Sequence, residues 1–189
     1  MYYLNLAVDF DTKYLWGTPR KLKENQENAI SYSIRAIDYL EKGAKIDTAN
    51  ATLLAKISEA YGIRMRNGGL GAKLKFMNDF NSNLKRALEI DPNNFEALIT
   101  TAYKTLYTPS LFKNRNKAAK EKFEQLLEKY PDNPDVTKGL SISYDRLGDH
   151  DKALEFITKS LEVNSKDLES IALKQDITQK ISKQKEKKG

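Results

Sequence analysis

Three places in the chain carry residue types that could do chemistry. Arg66-Asn67-Gly68-Gly69-Leu70-Gly71-Ala72-Lys73 looks like a phosphate loop, in which backbone amides and a lysine cradle an anion. The G-x4-G-K-[ST] spacing is missing, Leu74 follows the lysine, and no strand-like segment precedes it. The segment reads instead as a flexible basic hairpin between two helices, its glycines supplying conformations that other residues resist. His150 is the one histidine, flanked by Asp149 and Asp151. A zinc site or a triad needs partners that a lone imidazole lacks, so His150 reads as an exposed turn residue. Glu121 and Glu124 could pair as acid and base, but lysines alternate with them and i,i+4 ion pairs account for both. The absence of cysteine excludes disulfides, iron–sulfur clusters and thiolate metal sites. These residues point to a non-catalytic protein with no cofactor and no metal.

The elements that position them are helices. Apolar residues recur every three or four positions, as in Leu53, Ile57, Ala60 and Ile63, or Ala119, Phe123, Leu126 and Tyr130, and strand-type alternation is absent. Asp91-Pro92-Asn93-Asn94 and Tyr130-Pro131-Asp132-Asn133 each stop one helix and start the next. Proline cannot continue the hydrogen-bond ladder, and Asn94 and Asn133 can cap the helix that follows. With 9 Gly and 5 Pro in 189 residues, turn-formers are scarce, as a helical chain requires. Charged residues make up 31% and hydrophobic ones 40%, a composition that folds around a core of its own.

The stops recur. Thr48, Pro92, Pro131 and Ser165 stand at intervals of 44, 39 and 34 residues. Eight residues before each lies a bulky group (Leu40, Leu84, Phe123, Ile157), and four before that lies Ala36, Phe80, Ala119 or Ala153. The front of each unit holds Leu54-x-x-Ile57-Ser58-x-x-Tyr61, then Leu98-x-x-Thr101-Ala102, then Leu140-Ser141-x-x-Tyr144. Small residues let antiparallel helices approach, and large ones fill the gap to the next unit. The pattern resembles the tetratricopeptide repeat, a helix–turn–helix of about 34 residues. No unit has the family's tryptophan, Thr105 stands for the tyrosine, and Phe80 stands for the alanine.

This resemblance implies an all-α fold, a right-handed α-solenoid of antiparallel helix pairs. One domain is expected over 1–189. It holds repeats at 51–94, 95–133 and 134–167, an N-terminal helix pair or degenerate repeat at 1–47, and a C-terminal capping helix with a basic tail at 168–189. Leu168, Ile171 and Ala172 are expected to pack on the last repeat, and Ile30, Ile34, Ile37 and Leu40 beneath the first. The longer repeats carry insertions at 66–75 and 107–115, the second bringing Tyr107, Leu111 and Phe112.

The resemblance also implies a function: a protein-interaction module that binds a peptide or protein on the concave face lined by the first helix of each repeat. The lining positions are Thr52, Ala55, Lys56 and Glu59; Glu96, Ile99, Thr100, Tyr103 and Leu106; and Asp135, Lys138, Ile142 and Asp145. Chaperone-binding members clamp a peptide carboxylate with bases at the second and sixth positions, which here hold Thr52/Lys56, Glu96/Thr100 and Asp135/Gly139. Two acids in place of bases remove that role. Ile99, Tyr103, Leu106 and Ile142 offer instead an apolar centre with a charged rim, suited to an extended or helical segment. The groove filled by the chain's own insertions or terminal helices is the competing arrangement.

Two other functions fit the sequence. One is a bacterial envelope or solute-uptake accessory protein that binds a small ligand or a transporter partner. The other is self-association through Tyr2, Tyr3, Phe10, Tyr14 and Trp16. The net charge of +6 is concentrated in residues 180–189, which carry +4 and leave +2 for the rest. With acids and bases mixed along the body, nucleic acid is not an expected partner. No apolar run approaches the ~20 residues of a membrane span, and Tyr2 to Val8 is too short for a secretory signal. A soluble protein of cytoplasm or periplasm is expected.

Overall fold

The structure is a computed structural model that describes residues 1, 3–5, 7, 19–108 and 114–186, with the backbone alone at 19–22 and 114. The described residues form no strand. Eight helices follow one another among them: α1 Pro19–Ile46, α2 Ala51–Asn67, α3 Gly69–Ile90, α4 Phe95–Tyr107, α5 Asn114–Lys129, α6 Pro134–Leu147, α7 His150–Val163 and α8 Leu168–Glu186. Tyr3, Leu4, Asn5 and Ala7 are helical as well. The fold class is all-α, built from antiparallel helix pairs of the α-solenoid kind. By its packing the chain divides into two compact units, Met1–Thr100 and Thr101–Gly189.

The helix starts are capped as their residue types dictate. Asn94 Oδ1 accepts from the Ala97 amide at 3.1 Å, and Asn133 Oδ1 accepts from Asp135 and Val136 at 3.0 and 3.2 Å. Asn50 and Asp149 cap α2 and α7 in the same way. Each such cap contributes about 1 kcal/mol. Between α6 and α7, Gly148 takes a left-handed φ of 89°, which a side chain resists.

In unit 1, α1, α2 and α3 enclose a core that includes Leu40, Leu54, Ile57, Tyr61, Ile63, Phe80 and Leu84. In unit 2, Ala153, Ile157 and Ile177 form a core with Tyr144, Leu154, Leu173 and Ile181 around it. All eight positions of the repeat ladder are interior: Leu40, Leu84, Phe123 and Ile157, and Ala36, Phe80, Ala119 and Ala153, are each at most 5% exposed. Burying a side chain the size of Leu or Ile contributes ~1.5–3 kcal/mol.

The contacts repeat as well. The Ser58 hydroxyl donates to the Phe80 carbonyl at 3.1 Å, and the Ser141 hydroxyl donates to the Ala153 carbonyl at 2.7 Å, which stitches the two helices of each pair. The Tyr61 hydroxyl donates to Glu41 at 2.7 Å and the Tyr144 hydroxyl to Glu124 at 3.0 Å, linking each pair to the helix before it. Glu41 and Glu124 each follow a ladder residue directly, so the two bonds are one motif used twice.

Three expectations are corrected. The 66–75 segment is not a flexible hairpin. Only Gly68 lies between the helices, Gly69 takes a φ of 70°, and the rest continues as α3. The insertion thus lengthens α2 and α3 to 17 and 22 residues, against 14 each for α6 and α7. In α8, Leu168 is 49% exposed, and the inward face is Ser170, Leu173, Ile177 and Ile181. In α1, Ile34 is 47% exposed, and Ala29, Ser33, Ala36 and Leu40 turn inward, because small side chains allow closer helix approach. Tyr2, Phe10, Tyr14, Trp16, Leu111 and Phe112 lie outside the described residues.

Candidate functional site

In unit 1, the exposed side of α2 carries Lys56 on the turn below Glu59. Its Nζ lies 3.1 Å from Glu59 and 2.6 Å from Glu96, which sits in the first turn of α4. Burial works to lower the lysine pKa, but the two carboxylates outweigh it and the ammonium is held above its usual range. Thr52 is exposed and its hydroxyl accepts from Asn94 Nδ2 at 2.9 Å, whereas Ala55 is fully buried.

In unit 2, Lys138 on α6 is the centre of a four-charge cluster. Asp135, Asp167 and Glu169 approach its Nζ at 3.4, 3.1 and 3.3 Å. Burial again opposes the charge, and the three acids overcome it, raising the Lys138 pKa. Burial would likewise push the Asp167 carboxyl up. Lys138 and a 2.6 Å bond from the Ser170 hydroxyl reverse that, so its pKa falls below the ordinary carboxylate value. Three acids against one base leave the cluster with a formal charge of −2, and Asp135 is its most exposed member, at 61%.

Asp145, one turn past Ile142, is met by His150 Nδ1 at 3.0 Å and Lys180 Nζ at 2.7 Å. His150 is therefore held against Asp145, with its side chain 13% exposed, and does not stand free in the turn. Tyr103 places its ring edge-on to Phe123, 5.0 Å between centroids, and stacks on Tyr107 at 5.9 Å. Its hydroxyl donates to the Asp135 carbonyl at 2.8 Å. Desolvation, then the negative charge of Asp135, raises the phenol pKa well above its usual value.

The apolar centre expected for the groove is interior. Ile99, Leu106 and Ile142 are 7, 2 and 9% exposed. Leu106 presents its backbone instead, its carbonyl accepting from Arg146, whose guanidinium lies 5.3 Å from the Tyr107 ring. Of the first-helix charges, Asp135 at 61% and Glu59 at 33% are the most open to solvent, while Lys56, Glu96, Lys138 and Asp145 are 17, 29, 14 and 12% exposed and Tyr103 is half-buried. Sequence reasoning missed Asp167, Glu169 and Lys180, which reach these charges from the start and the body of α8. The recurrence of Glu41 and Glu124 beside ladder residues was the signal that could have exposed the tyrosine contacts.

Residues 113–177 match the family model described as tetratricopeptide repeat. No curated protein matches the chain. Among solved structures, the chain is similar to TTC0263, a thermophilic TPR protein of Thermus thermophilus. The TM-score is 0.58 at 19% identity, covering 94% of this chain and 97% of that one. It is also similar to MamA 41-end from Desulfovibrio magneticus, with a TM-score of 0.47 at 16% identity over 96% and 92% of the two chains. With the ladder residues buried at every repeat and the family pattern matched across α5, α6 and α7, residues 113–177 carry the tetratricopeptide repeat, within a chain whose helices pair as in that fold.

Proposed function

We propose that the chain is a non-catalytic adaptor that binds a protein or peptide segment on the charged faces of its first helices, α2, α4 and α6. The observation that carries this reading is the cluster at Lys138, a part-buried arrangement with an acidic surplus and an exposed carboxylate at Asp135. A surplus of carboxylates around an ordered lysine favours a partner that brings a basic residue, because the newcomer completes the charge balance at little cost in side-chain entropy. Tyr103, rigid between Phe123 and Tyr107, supplies an aromatic contact beside it.

The test is affinity capture from an extract of the native organism, comparing wild type with Asp135→Arg. A protein retained by wild type and lost by the variant, whose Tm is unchanged, supports the reading. Equal retention by the two proteins overturns it.

A further inference from the structure

Leu70, Leu74 and Met77 stand at i, i+4 and i+7 on the first turns of α3 and are 72, 74 and 43% exposed. They line one side of a helix whose opposite flank is anchored. Phe76 is half-buried, with the Tyr61 ring 5.7 Å away, the Arg64 guanidinium at 4.7 Å and the Lys75 ammonium at 5.3 Å. Because Phe76 takes the inward position, the leucines cannot turn in to join the core. The same stretch is basic: residues 60–78 contain Arg64, Arg66, Lys73 and Lys75 and no Asp or Glu. At 100° per residue, Lys73 lies about 60° from Leu70 on one side of the stripe and Lys75 about 100° from Leu74 on the other. The stripe sits at the end of a helical hairpin closed by Gly68 and Gly69, whose helices run 17 and 22 residues.

We propose that the end of the α2–α3 hairpin is an interfacial contact site for an anionic lipid surface. Leu70, Leu74 and Met77 enter the headgroup–acyl boundary, and Lys73 and Lys75 meet the phosphates. An apolar stripe with cations on both flanks and no acid on the intervening turns is the pattern of a helix lying in the plane of a charged bilayer. The contact is peripheral, since among the described residues no helix is long and apolar enough to cross a membrane.

The experiment is cosedimentation of the full chain with phosphatidylcholine vesicles, with and without about a third phosphatidylserine. Wild type is expected to bind the phosphatidylserine vesicles and to remain in solution with phosphatidylcholine alone. Leu70→Ser/Leu74→Ser should abolish binding, and Lys73→Gln/Lys75→Gln should weaken it roughly tenfold or more. Both variants should keep the wild-type circular dichroism and Tm, since the substituted side chains are exposed. Binding that survives the leucine substitutions belongs to the lysine-rich C-terminus and overturns the proposal. So does a wild type that ignores phosphatidylserine, or one whose leucines matter only for capture of an acidic protein.

Discussion

The α2–α3 pair of unit 1 and the α6–α7 pair of unit 2 use the same stitch but fill the space around it differently. In unit 1 the second helix presents Phe80, and a Cβ at Gly62 on α2 would lie 3.4 Å from its ring, an ordinary contact. In unit 2 the equivalent of Phe80 is Ala153, and polar bonds carry more of the contact. Ser141 donates to the Ala153 carbonyl, and Ser160 donates to the Pro134 carbonyl at 2.9 Å. At the Ser160 position unit 1 has Ala87, which is fully buried. The repeat is therefore maintained in volume along this one chain, not in residue type. A large residue is matched by a glycine on its neighbour where Phe123 meets Gly139, and where both helices of a pair present small residues, hydroxyls close the gap.

The tightest case lies in unit 2, between Phe123 on α5 and Gly139 on α6. A Cβ at Gly139 would fall 2.2 Å from the Phe123 ring, and that ring is fully buried. Two glycines inside helices should thus respond oppositely to alanine. Gly139→Ala should lose about 1–3 kcal/mol by overpacking. Gly62→Ala meets only ordinary contact and should gain up to ~1 kcal/mol of helix propensity. Urea unfolding of both variants measures the difference. Equal effects would break the volume argument.

The tyrosine–glutamate bonds sharpen the comparison at smaller scale. Tyr61 is 8% exposed and Tyr144 is less buried, so Tyr61→Phe should cost about 1–1.5 kcal/mol and Tyr144→Phe about half that. The corresponding pair between the first and middle repeats would be Lys85 and Thr105, so the sequence does not allow the motif there.

A pH effect is expected next. The folded pKa of Asp167 is lowered, so its contribution to stability is present above its unfolded pKa of ~3.9 and is lost as pH falls through the lower folded value. Asp167→Asn should cost about 0.5–1.5 kcal/mol at pH 7 and give a shallower loss of stability below about pH 4 than wild type, as followed by acid titration of Tm. Smallest of all, Lys85→Ala removes an exposed pair with Glu89, 3.5 Å apart, and should change stability by less than ~0.5 kcal/mol.

Much of this was legible in the sequence because burial itself repeats. The spacing of Leu40, Leu84, Phe123 and Ile157 located the core, and Asn94 and Asn133 announced their caps. The candidate site was less legible for two physical reasons. Ile99, Leu106 and Ile142 sit at the edge of a broad apolar stripe, where one turn of the helical wheel decides between core and groove, and spacing alone does not resolve such edges. Asp167, Glu169 and Lys180 reach Lys138 and Asp145 from a helix some thirty residues further along, a meeting set by how α8 packs and not by any local pattern. The glycines at 68, 69 and 71 suggested a loop, but only Gly69 takes a left-handed φ, so the helix resumed at once.

The central claim is that a partner is received on the charged sides of α2, α4 and α6. Hydrogen–deuterium exchange of the chain alone and of the captured complex tests it most directly. The account predicts slowed exchange in the helices bearing Lys56, Tyr103 and Lys138, with α5 and α7 unchanged. Slowing confined to α5 and α7, with α2, α4 and α6 exchanging as in the free chain, would contradict it.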